Sequence, residues 1–305
     1  MRWYEEFDRE RAERFPQLEV RCEEPMCSHT TFRIGGPARR MALPAAAEEA
    51  AALLALAGER EWPVLMVGNG SNLLVSDEGL DRLVILTTAL DSVSVDEAAG
   101  IIEAGAGIRL SKLAVAAMEH GLGGLAFAHG IPGTLGGAVF MNAGAYGGEM
   151  CQVISSVTAW LPGRGVCTLP REELDFSYRH SRFSNGEGAV LSARLTLQPG
   201  CDSAAIREEM EILIAKRRAS QPLELPSAGS TFKRPMGYYA GTLIDQCGLK
   251  GLTVGGAQVS EKHAGFIVNR GGATCADVTE LIAQVQRRVK EATGVTLEPE
   301  VRVMR

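Results

Sequence analysis

The chain has 305 residues, 46% of them apolar and 22% charged, and a formal net charge of −6. That length exceeds the usual span of one hydrophobic core and implies two or three domains. The composition excludes extended disorder, and the acidic balance excludes a broad nucleic-acid-binding surface while leaving room for a local basic pocket.

The first residues, MRWYEEFDRERAERFPQ, are dense in charge and lack the apolar core of a secretory signal. Residues 1–20 are expected to form a charged surface helix with Trp3, Phe7 and Phe15 on one edge. Pro44 opens an alanine- and leucine-rich helix over 44–60, with Glu48 and Glu49 near its start and Gly58 near its end. The apolar runs 62–68 and 80–88 read as buried strands. Residues 101–110 read as a strand and turn, and 111–122 as a helix capped by Ser111. Glycine then dominates 121–148 too heavily for one packed helix or strand, which suggests a backbone-lined binding surface. Apolar segments in 153–199, bounded by Pro, Gly and Asn, predict an antiparallel sheet. A helix over 202–219 follows, then a proline-rich break at 221–235. Beyond it come a helix near 239–248, a strand near 264–269 and an amphipathic helix over 275–293 bearing Val278, Leu281, Ile282, Val285 and Val289. The stretch GVTLEPEVRVMR closes the chain as a strand. No run approaches the length of a membrane span, so a cytoplasmic protein without membrane insertion is expected. The seven cysteines are scattered, with no Cys-x-x-Cys and no zinc spacing, so reduced structural thiols and no bound metal are expected.

Two segments carry chemistry. The first, Gly68-Asn69-Gly70-Ser71-Asn72-Leu73-Leu74, leaves the strand over 62–67. Such a turn lets backbone N–H groups approach an anionic oxygen, with Ser71 and Asn72 adding side-chain donors, and a pyrophosphate suits it. Leu73 stands where a dinucleotide-binding G-x-G-x-x-G needs glycine, and a tight structural turn is the other use of the same residues. The second segment holds Gly130, Pro132, Gly133, Thr134, Gly136 and Gly137, then Asn142, Gly144 and Ala145, around the apolar residues 138–141. Here the backbone can approach a large flat ligand from two sides while 138–141 packs inward.

GNGSNLL followed by GIPGTLGGAVFMNAGAYGGE resembles the FAD-binding fold of vanillyl-alcohol-oxidase (PCMH) type flavoenzymes, and more narrowly the UDP-N-acetylenolpyruvoylglucosamine reductases, the MurB family of peptidoglycan synthesis. The similarity continues in family order through YRHSRF at 178–183, SAGSTFK at 227–233, LIDQCGLKG at 243–251 and LEPEVR at 297–302. It implies an α+β protein with a two-part FAD domain and a smaller α+β substrate domain. The division expected is 1–88 as an N-terminal FAD-contacting subdomain, 89–219 as the main FAD subdomain and 220–293 as the substrate domain, with 294–305 returning as a strand to the FAD domain.

The resemblance also implies chemistry. NADPH would reduce a noncovalent FAD, and the reduced flavin would pass hydride to the enol-ether carbon of UDP-N-acetylglucosamine enolpyruvate, giving UDP-N-acetylmuramate. Charge then develops on the substrate carboxylate, and the adjacent carbon must be protonated. By motif, Arg179 would clamp the carboxylate, Ser230 would donate the proton and Glu300 would stabilise the developing enediolate. Taken alone, each has a plainer use: a salt-bridge arginine, a turn serine, a solvated strand-end glutamate. Glu298 shares a face with Glu300 by strand alternation, and only the motif register separates them. Lys233, Arg234 and Lys250 would meet the diphosphate, although Arg234 replaces the asparagine expected after Phe-Lys and Lys250 could simply end a helix. Ser71 could face substrate rather than FAD. His263 reads as a packed or solvent histidine.

Arg179 and Ser230 are 51 positions apart with no tyrosine in 184–229, so the chain resembles the shorter, second type of the family. Tyr238 and Tyr239 are candidates for covering the substrate. No separate nicotinamide motif is expected, because both substrates would use one flavin face in turn. No obligate protein partner is evident. Two other functions use the same glycine-rich surface: a flavin oxidase of an alcohol or sugar, which needs no NADPH, and a catalytically idle nucleotide-sugar-binding protein, against which the joint presence of Arg179, Ser230 and Glu300 argues.

Overall fold

A computed structural model describes residues 2–305. Helices and strands alternate irregularly along the chain, and two compact units result. The first comprises 1–22, 40–69 and 82–216; the second comprises 23–39, 70–81 and 217–305. A four-stranded sheet orders its members as Glu19–Pro25, Pro37–Leu43, Leu80–Leu86 and Val64–Val67, and the division between units falls inside the first three.

This differs from the contiguous segments read from the sequence. Residues 23–39 and 70–81 group with 217–305 rather than with the remainder of 1–88. The reason is long-range bonding. Thr31 Oγ1 donates to Ser227 O at 2.7 Å, Asn269 Nδ2 donates to Phe32 O at 3.1 Å, and Asp77 accepts from the N–H groups of Cys275 and Ala276 at 2.9 and 3.2 Å. The terminal strand Arg302–Met304 runs parallel to Leu73–Val75, also in the second unit.

Within the first unit, an antiparallel sheet takes the order Gly165–Pro170, Ile154–Leu161, Ala189–Thr196, Ile101–Gly105, Val93–Asp96. It is the sheet expected from 153–199, extended by two earlier strands. Val157, Ala159 and Leu161 alternate inward from Ile154–Leu161, and Ile154 joins them across an irregularity between Ile154 and Ser156, in a core shared with the helix Leu110–Glu119 and the short helix Leu135–Met141. A second core gathers Phe7, Leu18 and the apolar face of Ala47–Glu59. The helix Trp3–Arg14 buries Phe7 fully and also buries Glu10, whose carboxylate is matched by Arg14 at 2.9 Å and Arg60 at 2.5 Å. It stops before Pro16, so residues 19 and 20 belong to a strand instead.

Ser111 does not cap its helix. That helix begins at Leu110, with Arg109 at the N-cap, because Arg109 bridges Thr134 and Leu110 N donates to Gly133 O at 3.1 Å. The long-range pairing sets the start and leaves Ser111 in the first turn.

In the second unit, the helix Cys275–Thr293 buries the expected face, Val278 through Val289, together with Phe232, Leu297 and the helix Ala240–Gln246. A three-stranded antiparallel sheet, Thr253–Val254, Ala257–Val259 and Ile267–Asn269, completes it. The closing stretch is not one continuous strand. Pro299 has no N–H to donate, and 298–301 pair instead with 231–233 through the Phe232–Pro299 bridge before the regular strand begins at Arg302. No helix among the described residues is long and apolar enough to cross a membrane.

Candidate active site

The GNGSNLL motif divides between the two units. Gly68 and Asn69 lie in the first, where the Asn69 amide donates to Pro132 O at 2.6 Å and so ties the turn to the second glycine-rich segment. Thr134 is buried, and its Oγ1 has no hydrogen-bond partner. Gly68 faces it so closely that a Cβ there would lie 2.2 Å from that oxygen; Gly137 is open but for the same atom, 3.7 Å from its own would-be Cβ. A buried hydroxyl without a partner costs about 1–3 kcal/mol, which a ligand oxygen or nitrogen would recover. Side chains trimmed to hydrogen on both sides of an unpartnered hydroxyl fit a flat, polar-edged cofactor such as FAD. The helix Leu135–Met141 contributes less than its glycines suggest, since Leu135 and Gly136 already donate their N–H groups to Ile108 O and Ala106 O.

Gly130, Pro132 and Gly133 lead into that helix at its N-terminal end, and Asn142 ends it in the left-handed conformation, φ 42°. Gly144 and Ala145 pair with Gly148 and Glu149 in a hairpin whose loop residues, Tyr146 and Gly147, both have positive φ, the requirement of a type I′ turn. The Asn142 side chain, expected to meet the cofactor, is spent on protein. It donates to Ser177 O at 3.0 Å and Glu149 Oε2 at 3.3 Å and accepts from Cys151 N at 2.8 Å.

Arg179 belongs to the same unit. Ser177 and His180 exchange backbone hydrogen bonds at 3.1 and 3.2 Å, so Tyr178 and Arg179 form the tip of a tight turn. Arg179 takes φ 55°, a left-handed conformation costing about 1–2 kcal/mol for a residue of this kind. Its Nη2 donates to Gly144 O at 3.2 Å, and its guanidinium lies 5.1 Å from the Tyr178 ring centroid. Strain of this sort persists where surrounding contacts over-determine it, and it is concentrated at functional sites.

Ser71, Asn72, Leu73, Ser230, Glu300, Lys233, Arg234 and Lys250 lie in the second unit, as does Gly70. Gly70 has φ 58°, and a Cβ there would stand 2.0 Å from His29 O, so only glycine fits. Ser230 is exposed at the end of the segment paired with Glu298–Glu300. Its neighbour Thr231 is buried and fixed on every side: its N–H donates to Gly265 O, its O accepts from Glu300 N, and its Oγ1 accepts from Ile267 N. Glu300 is half-buried, and its carbonyl accepts from the Asn72 amide at 3.1 Å. The first glycine-rich motif and LEPEVR are thereby joined by a contact spanning more than two hundred residues.

Glu298 is exposed and paired with Lys233 at 2.5 Å. The two glutamates that alternation leaves equivalent are thus separated by burial. Lys250 pairs with Asp245 at 2.7 Å, and the Arg234 guanidinium stacks 4.0 Å over the Tyr239 ring centroid. His263 packs edge-on against Phe266, and its Nδ1 accepts from Gly265 N at 3.1 Å; burial first of all holds its pKa below the usual histidine value. Arg302, absent from the sequence-derived candidates, opens the regular strand two residues beyond Glu300, and burial lowers its pKa.

A family model described as the C-terminal domain of UDP-N-acetylenolpyruvoylglucosamine reductase matches residues 221–304, and one described as an FAD binding domain matches 38–168. The UDP-N-acetylenolpyruvoylglucosamine reductase of Agathobacter rectalis is 49% identical over 304 residues, covering 96% of each chain, and that of Latilactobacillus sakei is 48% identical over 287 residues, covering 94% of each. The chain belongs to this reductase family. A crystal structure of the Thermus caldophilus member, UDP-N-acetylenolpyruvylglucosamine reductase (MurB), is similar with a TM-score of 0.79 at 38% identity, covering 95% of this chain and 99% of that one. Membership makes the chain an FAD-binding oxidoreductase of mixed helix and strand, and the glycine cradle about Thr134 lies inside the segment that matches the FAD-binding model.

Proposed function

We propose that this protein catalyses the NADPH-dependent reduction of UDP-N-acetylglucosamine enolpyruvate to UDP-N-acetylmuramate, a step of peptidoglycan precursor synthesis in the cytoplasm. The observation that carries the proposal is near-complete mutual coverage with reductases of that name at close to half identity. FAD, bound noncovalently, supplies the two-electron relay between NADPH and the enolpyruvyl carbon. Residues 68–69 and 130–137 would hold it, the Thr134 hydroxyl and the backbone of the glycines offering it polar partners.

Each catalytic role rests on its own motif. Arg179 binds the substrate carboxylate, for which a planar fork of N–H donors is suited. Ser230 gives its hydroxyl proton to the carbon beside that carboxylate as negative charge collects there. The exposed hydroxyl on a backbone locked one residue later is placed to do so with little reorganisation. Glu300, protonated and so able to donate a hydrogen bond, helps hold the carboxylate oxygens as the enediolate forms. Lys233, Arg234 and Lys250 receive the diphosphate. Lys233 and Lys250 exchange exposed carboxylate partners for phosphate, a substitution of small cost because exposed pairs contribute about 0–1 kcal/mol. In this proposal 1–88 and 89–219 serve the cofactor, 220–293 the nucleotide sugar, and 294–305 supplies Glu300.

Anaerobic absorbance spectroscopy of the purified yellow protein tests the proposal. NADPH should bleach the flavin band near 450 nm, and the enolpyruvyl nucleotide sugar should restore it. Bleaching without recovery removes the substrate assignment, and failure of NADPH to bleach the flavin favours an oxidase.

A further inference from the structure

We infer that Asn142 is a positioning residue for Arg179, coupling the cofactor segment to the carboxylate clamp, rather than a side-chain ligand of the cofactor. The inference rests on the role proposed above for Arg179. Asn142 is 1% exposed, and its amide is oriented without ambiguity. Ser177 O and the Glu149 carboxylate require donors, and Cys151 N–H requires an acceptor, so only one placement of the amide satisfies all three. Ser177 O is the base of the turn in which Arg179 is left-handed, and it also accepts the His180 N–H.

Two further contacts from the same segment reach the same turn. Phe140 O accepts from Ser181 Oγ at 2.8 Å and Ser184 Oγ at 3.0 Å, and Gly144 O accepts from Arg179 Nη2. Residues 140, 142 and 144 therefore grip 177–184 at three points, with Asn142 at the middle. The choice of residue type supports the role. Position 142 ends a helix in the left-handed region, where glycine is the usual occupant, and glycine fills the left-handed positions 121, 124 and 147 nearby. An asparagine here keeps the backbone conformation and adds the donor that Ser177 O uses.

The test compares Asn142→Asp, which keeps the acceptor for Cys151 N–H but loses both donors, with Asn142→Asp/Glu149→Gln, which removes the opposed charges without restoring a donor to Ser177 O. On the holoenzyme, both should raise the apparent KM for the enolpyruvyl nucleotide sugar tenfold or more. FAD per chain should match the parent, and the rate of NADPH bleaching should stay within twofold. In an Arg179→Lys background, Asn142→Asp should add less than threefold. Hydrogen exchange should accelerate at the His180 amide and leave 189–196 unchanged. Loss of FAD, recovery on adding Glu149→Gln, full additivity with Arg179→Lys, or unaltered exchange at His180 would each overturn the inference. The exchange and FAD measurements stand even if the parent protein fails to reduce that substrate, so failure of the proposed function remains distinguishable.

Discussion

The turn bearing Arg179 and the segment bearing Ser230 are held by opposite means. Residues 177–184 have little ladder of their own: one pair of backbone bonds closes the turn, and side chains of Asn142, Ser181 and Ser184 fasten it to the 140–144 segment. Residues 231–233 instead lie in a backbone register with 298–301, and Thr231 is further locked to Gly265 and Ile267. Bracing through side chains permits a strained conformation to be imposed and aimed; bracing through backbone makes the position of a small side chain nearly independent of its identity. A long, charged group with a planar end is carried by the first device and a short hydroxyl by the second.

The sharpest way to break this contrast is Ser230→Ala. Because Ser230 is exposed and its neighbours are held by main chain, thermal stability should change by no more than about 0.5 kcal/mol. Flavin bleaching by NADPH should survive, while recovery with the enolpyruvyl substrate slows by about 10²- to 10⁴-fold, the usual worth of a positioned acid. Equal loss of both phases would remove Ser230 as proton donor.

Arg179→Gly is the complementary test. Glycine accepts φ 55° without steric penalty, so calorimetric stability should remain within about 1 kcal/mol of the parent. Recovery of the flavin by substrate should nonetheless fall by about 10²- to 10³-fold, the cost of removing a preorganised donor to developing charge. A variant melting far below the parent would show that the arginine supports the fold and that the strain carries no functional meaning.

A smaller effect sharpens the description of the backbone-braced unit. The helix Cys275–Thr293 starts at a reciprocal cap, Thr274 with Asp277. Hydrogen bonding to the Thr274 backbone, reinforced by the Gly256 N–H and the Thr274 hydroxyl, holds the Asp277 pKa below its ordinary value against the opposing effect of burial. A carboxylate lowered in the folded state stabilises above its unfolded pKa, about 3.9, and loses that contribution as pH falls through the lowered folded value. Urea unfolding of Asp277→Asn should therefore show a deficit at pH 7 that shrinks on acidification below about pH 4. A deficit independent of pH would mean that the cap works without its charge.

Much of the scaffold was legible before folding. The amphipathic period of 275–293, the alternating strands of 153–199 and the proline-rich break before 235 are local patterns, and each reappears as an element or a connection at nearly the expected place. The motif order was legible for the same reason, since GNGSNLL, YRHSRF, SAGSTFK and LEPEVR are each contiguous. Where an element's limit depended on a distant partner, the sequence misplaced it: Leu110 rather than Ser111 opens a helix because Gly133 and Thr134 lie against it.

By itself, then, the sequence determined which segments could be helix or strand, which turns demanded glycine, and which family the chain resembles. Only tertiary structure decided that GNGSNLL is shared between two units, that Glu298 meets Lys233 while Glu300 is drawn inward beside Asn72, and that an asparagine 37 positions earlier hydrogen-bonds the turn in which Arg179 is left-handed. The physical reason is one of range. Periodicity and steric freedom act over a few residues and are written locally, whereas burial, pairing register and the orientation of an amide depend on which distant backbone atoms the folded chain brings within hydrogen-bonding reach.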